Sequence, residues 1–116
     1  MRYLALIYTN ESNFAKQTEA EGQAEYKAYM QYTADGREAG VIKSGEALQP
    51  THTATTVRVR DGKLATTDGP FAETKEQLGG FYLLDCPNLD DAIAWAAKIP
   101  GAKNGCVEVR PIMEFG

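Results

Sequence analysis

Asp68-Gly69-Pro70-Phe71-Ala72-Glu73-Thr74-Lys75-Glu76-Gln77-Leu78-Gly79-Gly80-Phe81-Tyr82-Leu83-Leu84-Asp85-Cys86 runs from a polar turn crowded with ionisable groups into a strand that is apolar on both faces. The turn follows from its first residues: Gly69 admits positive φ, Pro70 fixes its own φ, and a residue before proline is pushed away from helix. In the strand expected over residues 79–86, Phe81 and Leu83 point one way and Tyr82 and Leu84 the other, because side chains alternate. A strand with two apolar faces is covered on both sides and belongs in the middle of a sheet.

Residues 2–8 have the same character, with Leu4, Leu6 and Tyr8 on one face and Tyr3, Ala5 and Ile7 on the other, so this is the second central strand. Residues 9–17 are polar and read as an irregular loop. Thr18-Glu19-Ala20-Glu21 is a capping box that starts a helix ending at Ala39, with Gly40 in the left-handed position beyond it. Its apolar stripes, Tyr26, Tyr29, Met30 and Thr33 beside Ala24, Ala28 and Tyr32, predict packing along a broad face. Residues 41–45 form a short edge strand that breaks up at Gly45. Asp61-Gly62 between β-branched runs predicts a hairpin of strands over 55–60 and 63–67. After Pro87, Asn88 caps a helix over 89–99 whose apolar face is Leu89, Ala92, Ile93, Ala96 and Ile99. Residues 106–112 alternate as an edge strand, and Pro111 suits that place.

Strand, helix, strand with hairpin, strand, helix, strand is the split βαβ order of a ferredoxin-like α+β domain, in which the first and third main strands are central. Those are the two strands with apolar residues on both faces. Two helices cover only one face of four strands, so the other face calls for a second copy of the chain, and a two-fold homodimer is the expected assembly.

Composition narrows the function. The 116 residues suffice for one domain, and the net charge of −4 with no basic cluster excludes a nucleic-acid surface. No apolar run approaches the ~20 residues of a membrane span, so no membrane partner and a cytoplasmic location are expected. Cys86 and Cys106 lie in apolar strand patterns and read as buried free thiols. One histidine and two distant cysteines offer no metal spacing, no glycine-rich loop opens a helix, and no cofactor is called for.

Asp68-Gly69-Pro70-Phe71 together with Gly45-Glu46-Ala47-Leu48, Ala54-Thr55-Thr56-Val57-Arg58, Gly79-Gly80-Phe81 and Glu108-Val109-Arg110-Pro111-Ile112 resembles the YCII-related proteins, whose DGPF signature the first segment matches. The resemblance spans nearly the whole chain. It implies a dimeric α/β barrel, largely without an assigned activity. Some relatives in the wider group look like lyases or isomerases that use a His-Asp pair, and the family is often found beside alternative sigma factors.

His52 is the only histidine, hence the only side chain whose ordinary titration lies near neutrality. A two-residue Asp61-Gly62 turn sets Asp68 opposite Thr55, which leaves His52 within ~10 Å of it at ~3.3 Å per extended residue. A His52–Asp68 pair would fix the imidazole tautomer and leave the other nitrogen to move a substrate proton, a cofactor-independent proton transfer on a small organic acid or carbonyl compound. The competing reading makes Asp68 a turn residue and His52 a solvated loop residue, with the domain a ligand-sensing or protein-interaction module, which the resemblance implies would act in bacterial transcriptional regulation. Tyr8, at the end of a central strand, offers a hydroxyl to a barrel cavity or simply packs in the core. Lys75 is a candidate ligand contact, whereas Glu73 and Glu76 read as a solvated face.

Overall fold

The computed structural model describes residues 1–115. Its strands are β1 (Arg2–Thr9), β2 (Ile42–Ala47), β3 (Thr55–Arg60), β4 (Lys63–Asp68), β5 (Gln77–Asp85) and β6 (Cys106–Pro111), with helices α1 (Glu19–Glu38) and α2 (Leu89–Ala97). Four strands form an antiparallel sheet in the order β2-β5-β1-β6, and β3 and β4 pair separately. This is the ferredoxin-like α+β arrangement, with β1 and β5 central as their two apolar faces require.

Local chemistry places the ends. Thr18 accepts from the Glu21 N–H while the Glu21 carboxylate accepts from the Thr18 N–H, completing the capping box. Gly40 follows α1 at φ +74°, and Asn88 caps α2 by accepting from the Asp91 N–H. Asp61 and Gly62 both have positive φ, the condition for a two-residue hairpin turn that follows the strand twist. Thr55 then pairs with Asp68, as the turn dictates.

Several boundaries differ from the sequence reading. Residues 9–17 are not irregular, because Glu11–Lys16 winds into a 3-10 helix capped by Asn10. β5 starts two residues early, at Gln77, since Gly79 is absorbed as a bulge between the Ile7–Gly80 and Tyr8–Leu78 pairs. β2 continues past Gly45 to Ala47, and Gly45 is tolerated there because the Tyr82 ring lies against it, where an added Cβ would come within 2.6 Å of that ring. α2 ends at Ala97, so Ile99 is buried from the connection that follows rather than from the helix.

The core is a single layer between the helices and one sheet face. Tyr3, Ala5 and Ile7 of β1 and Tyr82 and Leu84 of β5 meet Tyr32 of α1, Ala92 and Ala96 of α2, and Ile99. Gly36 lets α1 descend on β2, since a Cβ there would overlap the Ile42 side chain. Burial on the helices is narrower than their stripes suggest. Only Tyr32 and Gly36 of α1 are fully buried, while Tyr26 and Met30 are exposed; on α2, Leu89 and Ile93 are exposed and Trp95 packs against the core instead. The outer parts of the stripes stay exposed in this chain.

The opposite sheet face carries Leu4, Leu6, Phe81 and Leu83, all partly exposed. The β3–β4 hairpin stands away from the sheet as an arm, with Val57, Val59 and Leu64 exposed on one side and Arg58, Arg60 and Lys63 on the other. The radius of gyration is 16.2 Å, against about 13 Å for a compact domain of this length. No helix among the described residues is long and apolar enough to cross a membrane.

Candidate functional site

The structure opens a cavity of about 340 Å³ between α1 and the adjacent ends of β2 and β5. Its origin is the small residues on the helix-facing side of those strands. Gly45 pairs with Tyr82 and Ala47 with Gly80, so at three of these four positions no large side chain fills the space under α1. Gly80 is held to glycine by the backbone, since a Cβ there would meet the Glu46 carbonyl oxygen at 2.8 Å. A glycine inside a strand often marks such a close approach.

Polar groups enter this space from α1 and β5. Thr33 donates its hydroxyl proton to the Tyr29 carbonyl at 2.9 Å and lies 2.9 Å from the Tyr82 hydroxyl. The Tyr29 hydroxyl accepts from the Gly101 N–H at 3.0 Å, which ties α1 to the segment ahead of β6. Burial pushes the Tyr29 phenol above its usual value, the Gly101 bond partly offsets this, and the nearby negative charge of Glu25 adds to the rise. Glu25, half-buried at the mouth, accepts from the Gln17 amide at 2.7 Å. A second hollow of about 400 Å³ shares Glu25, Tyr29, Thr33, Ala47 and Tyr82 with the first and adds Tyr26 and Met30. The two form one groove along α1. Apolar walls with a few converging hydroxyls, the Glu25 carboxylate and Arg37 at the rim are the make-up of a small-molecule site.

The residues singled out by sequence are arranged differently. His52 lies in a short 3-10 turn, Thr51–Thr53, and is exposed. Glu11 anchors that turn by accepting from the Thr51 N–H and hydroxyl, both at 2.8 Å. Asp68, at the end of β4, is exposed as well. The chain is cinched between them, with the Gly69 N–H donating to the Ala54 carbonyl at 2.7 Å and the Thr56 hydroxyl to the Gly69 carbonyl at 2.9 Å. Among the described residues no hydrogen bond or ion pair joins His52 to Asp68, and neither lines the groove. Tyr8 is partly buried and points to the bare sheet face, opposite Ile7, while Lys75 is exposed in the turn before β5. Of the two cysteines, Cys86 is a buried free thiol, but Cys106 is exposed, because it pairs with Tyr8 and so lies on the bare face of the sheet. No cluster of metal-ligating side chains occurs among the described residues.

Sequence reading missed Glu25, Tyr29, Thr33 and Tyr82 as a group. Gly45, Ala47 and Gly80 were the signal, three small residues on one face of adjoining strands.

Two comparisons bear on this geometry. The profile of the YCII-related domain matches residues 1–116. An uncharacterised protein of Rhizobium meliloti (strain 1021) is 39% identical over 114 residues, covering 97% of this chain and 92% of its own length.

Proposed function

We propose that this chain, which belongs to the family of YCII-related domains, binds a small organic molecule in the groove beside α1 and works as a two-fold homodimer. The observation that carries the binding role is the cavity of about 340 Å³ under α1, within the size range of small-molecule sites. Support for the dimer comes from the bare face with Leu4, Leu6, Phe81 and Leu83, and from an arm with nothing of its own to pack on. A contiguous apolar surface of that kind marks an interaction site, and an isolated two-stranded hairpin is marginal in water. Two free thiols accord with a reducing, cytoplasmic setting.

A thermal-shift screen of metabolites, followed by turnover assays on each hit, tests the binding role. A ligand at a hundredfold excess over its Kd stabilises the fold by about 2.7 kcal/mol, well within detection. A screen in which no compound raises the melting temperature contradicts it. Light scattering that returns the monomer mass at micromolar concentration contradicts the dimer.

The hairpin register favours a second, enzymatic reading. Thr55 opposite Asp68 and the Gly69–Ala54 bond bring the chain segments bearing His52 and Asp68 to one end of the arm. There His52 would act as general acid or base and Asp68 would orient it, on an organic acid or carbonyl compound held between sheet and arm, with Tyr8 and Lys75 as further contacts. For any hit that is turned over, His52→Ala and Asp68→Asn should each lower kcat at least about a hundredfold. Unchanged turnover in both rejects the pair. Hits that bind without turnover leave a ligand-sensing or protein-docking module.

A further inference from the structure

The groove's polar groups can be sorted by which of them still hold a proton to give. A threonine hydroxyl has one hydrogen. Thr33 uses it on the Tyr29 carbonyl, so at the 2.9 Å contact with Tyr82 the tyrosine is the donor. Tyr82 then has only lone pairs left, whereas the Tyr29 hydroxyl, which accepts from the Gly101 N–H, keeps its own hydrogen. Glu25 takes one hydrogen from Gln17 through Oε2, which leaves its other oxygen open, and no cation pairs with it among the described residues. The aromatic rings of Tyr26 and Tyr29 stand in the same stretch of groove. Among the described residues the cation that lines the cavity is Arg37, whose backbone lies twelve residues, or about 18 Å of helix rise, further along α1, and no ion pair joins it to Glu25. Glu46 also borders the cavity but does so with its backbone, since it pairs with Phe81 and its side chain points to the bare sheet face.

Resting on the reading of this groove as a small-molecule site, we propose that its ligand is an ammonium compound with an apolar body, the ammonium received by Glu25 and the Tyr26 and Tyr29 rings. A carboxylate placed there would lie against the like charge of Glu25, and an uncharged apolar molecule would leave that charge without a counter-ion as it closed the mouth. An ammonium gives up to three hydrogen bonds and is attracted to ring faces. The glycine-lined space under α1 takes the apolar body.

Isothermal titration calorimetry on the full chain at pH 7 tests this with three probes of matched size: 2-phenylethylamine, 2-phenylethanol and 3-phenylpropanoate. Phenylethylamine should bind at least tenfold more tightly than either of the others. Glu25→Gln should remove that advantage and leave the alcohol's affinity unchanged, with circular dichroism confirming the fold. Ala47→Phe, which fills the groove, should abolish binding of the amine. Equal affinity for the three probes, or an amine affinity unmoved by Glu25→Gln, overturns the ammonium assignment while the cavity reading stands. Amine binding that survives Ala47→Phe overturns the assignment by placing the ligand elsewhere. Absence of binding by all three overturns the ammonium proposal, and the metabolite screen then decides the cavity reading on its own.

Discussion

β5 and the β3–β4 arm are joined by residues 69–76, and both are paired in antiparallel ladders, that of β1 and β5 bulged at Gly79 and that of the arm unbroken. Their side chains meet opposite fates. Leu84 on β5 is 0% exposed, whereas Leu64 on β4 is 71% exposed. The arm has its hydrogen bonds, its turn and its alternation, with Val57, Val59 and Leu64 on one side and Arg58, Arg60 and Lys63 on the other. What it lacks is a layer to pack against. Strand pairing satisfies the backbone, and burial of side chains against a second layer supplies most of the free energy that offsets chain entropy. Within one chain the sheet has that second layer on its helix side and the arm has none.

The largest test of this contrast is a pair of leucine truncations. Leu84→Ala should cost about 2–5 kcal/mol, because it opens a cavity in a packed layer. Leu64→Ala should cost no more than about 0.5 kcal/mol in a dilute sample, as for an exposed position. Urea denaturation of both variants, repeated at low and high protein concentration, separates the contribution of the single chain from anything self-association adds. If Leu64→Ala becomes costly as the concentration rises, the arm is buried in the assembly and the contrast belongs to the single chain only. Equal costs at every concentration would break the comparison outright.

Gly36→Ala sharpens the same point from the helix side. The added methyl overlaps Ile42, which pairs with Leu84 across β2 and β5. Overpacking of that kind costs about 1–3 kcal/mol, more than the gain of roughly 1 kcal/mol that replacing a helical glycine by alanine otherwise brings. Net destabilisation in urea is therefore expected, and Ile42→Val in the same chain should recover part of it. A stabilised Gly36→Ala would mean that α1 rides further from the sheet than the Ile42 contact requires.

Much of the fold was legible because its signals are local. The capping box at Thr18 and Glu21, the Asn88 cap, the Asp61-Gly62 turn and the Thr55–Asp68 register each depend on a few neighbouring residues. Apolar residues on both faces of β1 and β5 also sufficed to place those strands in the middle. Which part of a helix stripe is buried was not legible in this way. Tyr26, Tyr29, Met30 and Thr33 make a consistent stripe, yet the helix turns Tyr32 and Gly36 to the sheet, because the close approach at Gly36 sets its rotation. The groove was hidden for a related reason. Gly45 and Gly80 read as weak points of strands, and only pairing β2 with β5 turns two absences of side chain into one space. The register that sets Asp68 opposite Thr55 was legible, but the distance between the exposed side chains of His52 and Asp68 is not a property of register.

Tyr32 offers the most specific test of the helix-covered layer. Its hydroxyl donates to the Trp95 carbonyl at 3.0 Å, and its ring meets Tyr82 and Trp95 edge-on at centroid distances of 5.1 and 6.1 Å. Tyr32→Phe keeps the ring contacts and removes one neutral hydrogen bond, a loss of about 1 kcal/mol at pH 7. Alkaline titration then adds a second reading. Burial pushes the Tyr32 phenol well above its usual value, and burial moves Tyr29 in the same direction. A group held protonated in the folded chain favours folding fully only below its unfolded pKa, about 10 for tyrosine. Above that, the unfolded chain releases the proton first, so stability falls as the pH climbs toward the folded values. Urea midpoints at pH 7 and pH 10.5 should therefore converge less steeply on unfolding conditions in Tyr32→Phe than in the wild type. Residues 55–68 contain no tyrosine, so Leu64→Ala should leave the alkaline slope untouched. If the slope is the same in Tyr32→Phe and in the wild type, water reaches the Tyr32 hydroxyl, and the helix-covered layer is looser than its 5% exposure at that residue implies.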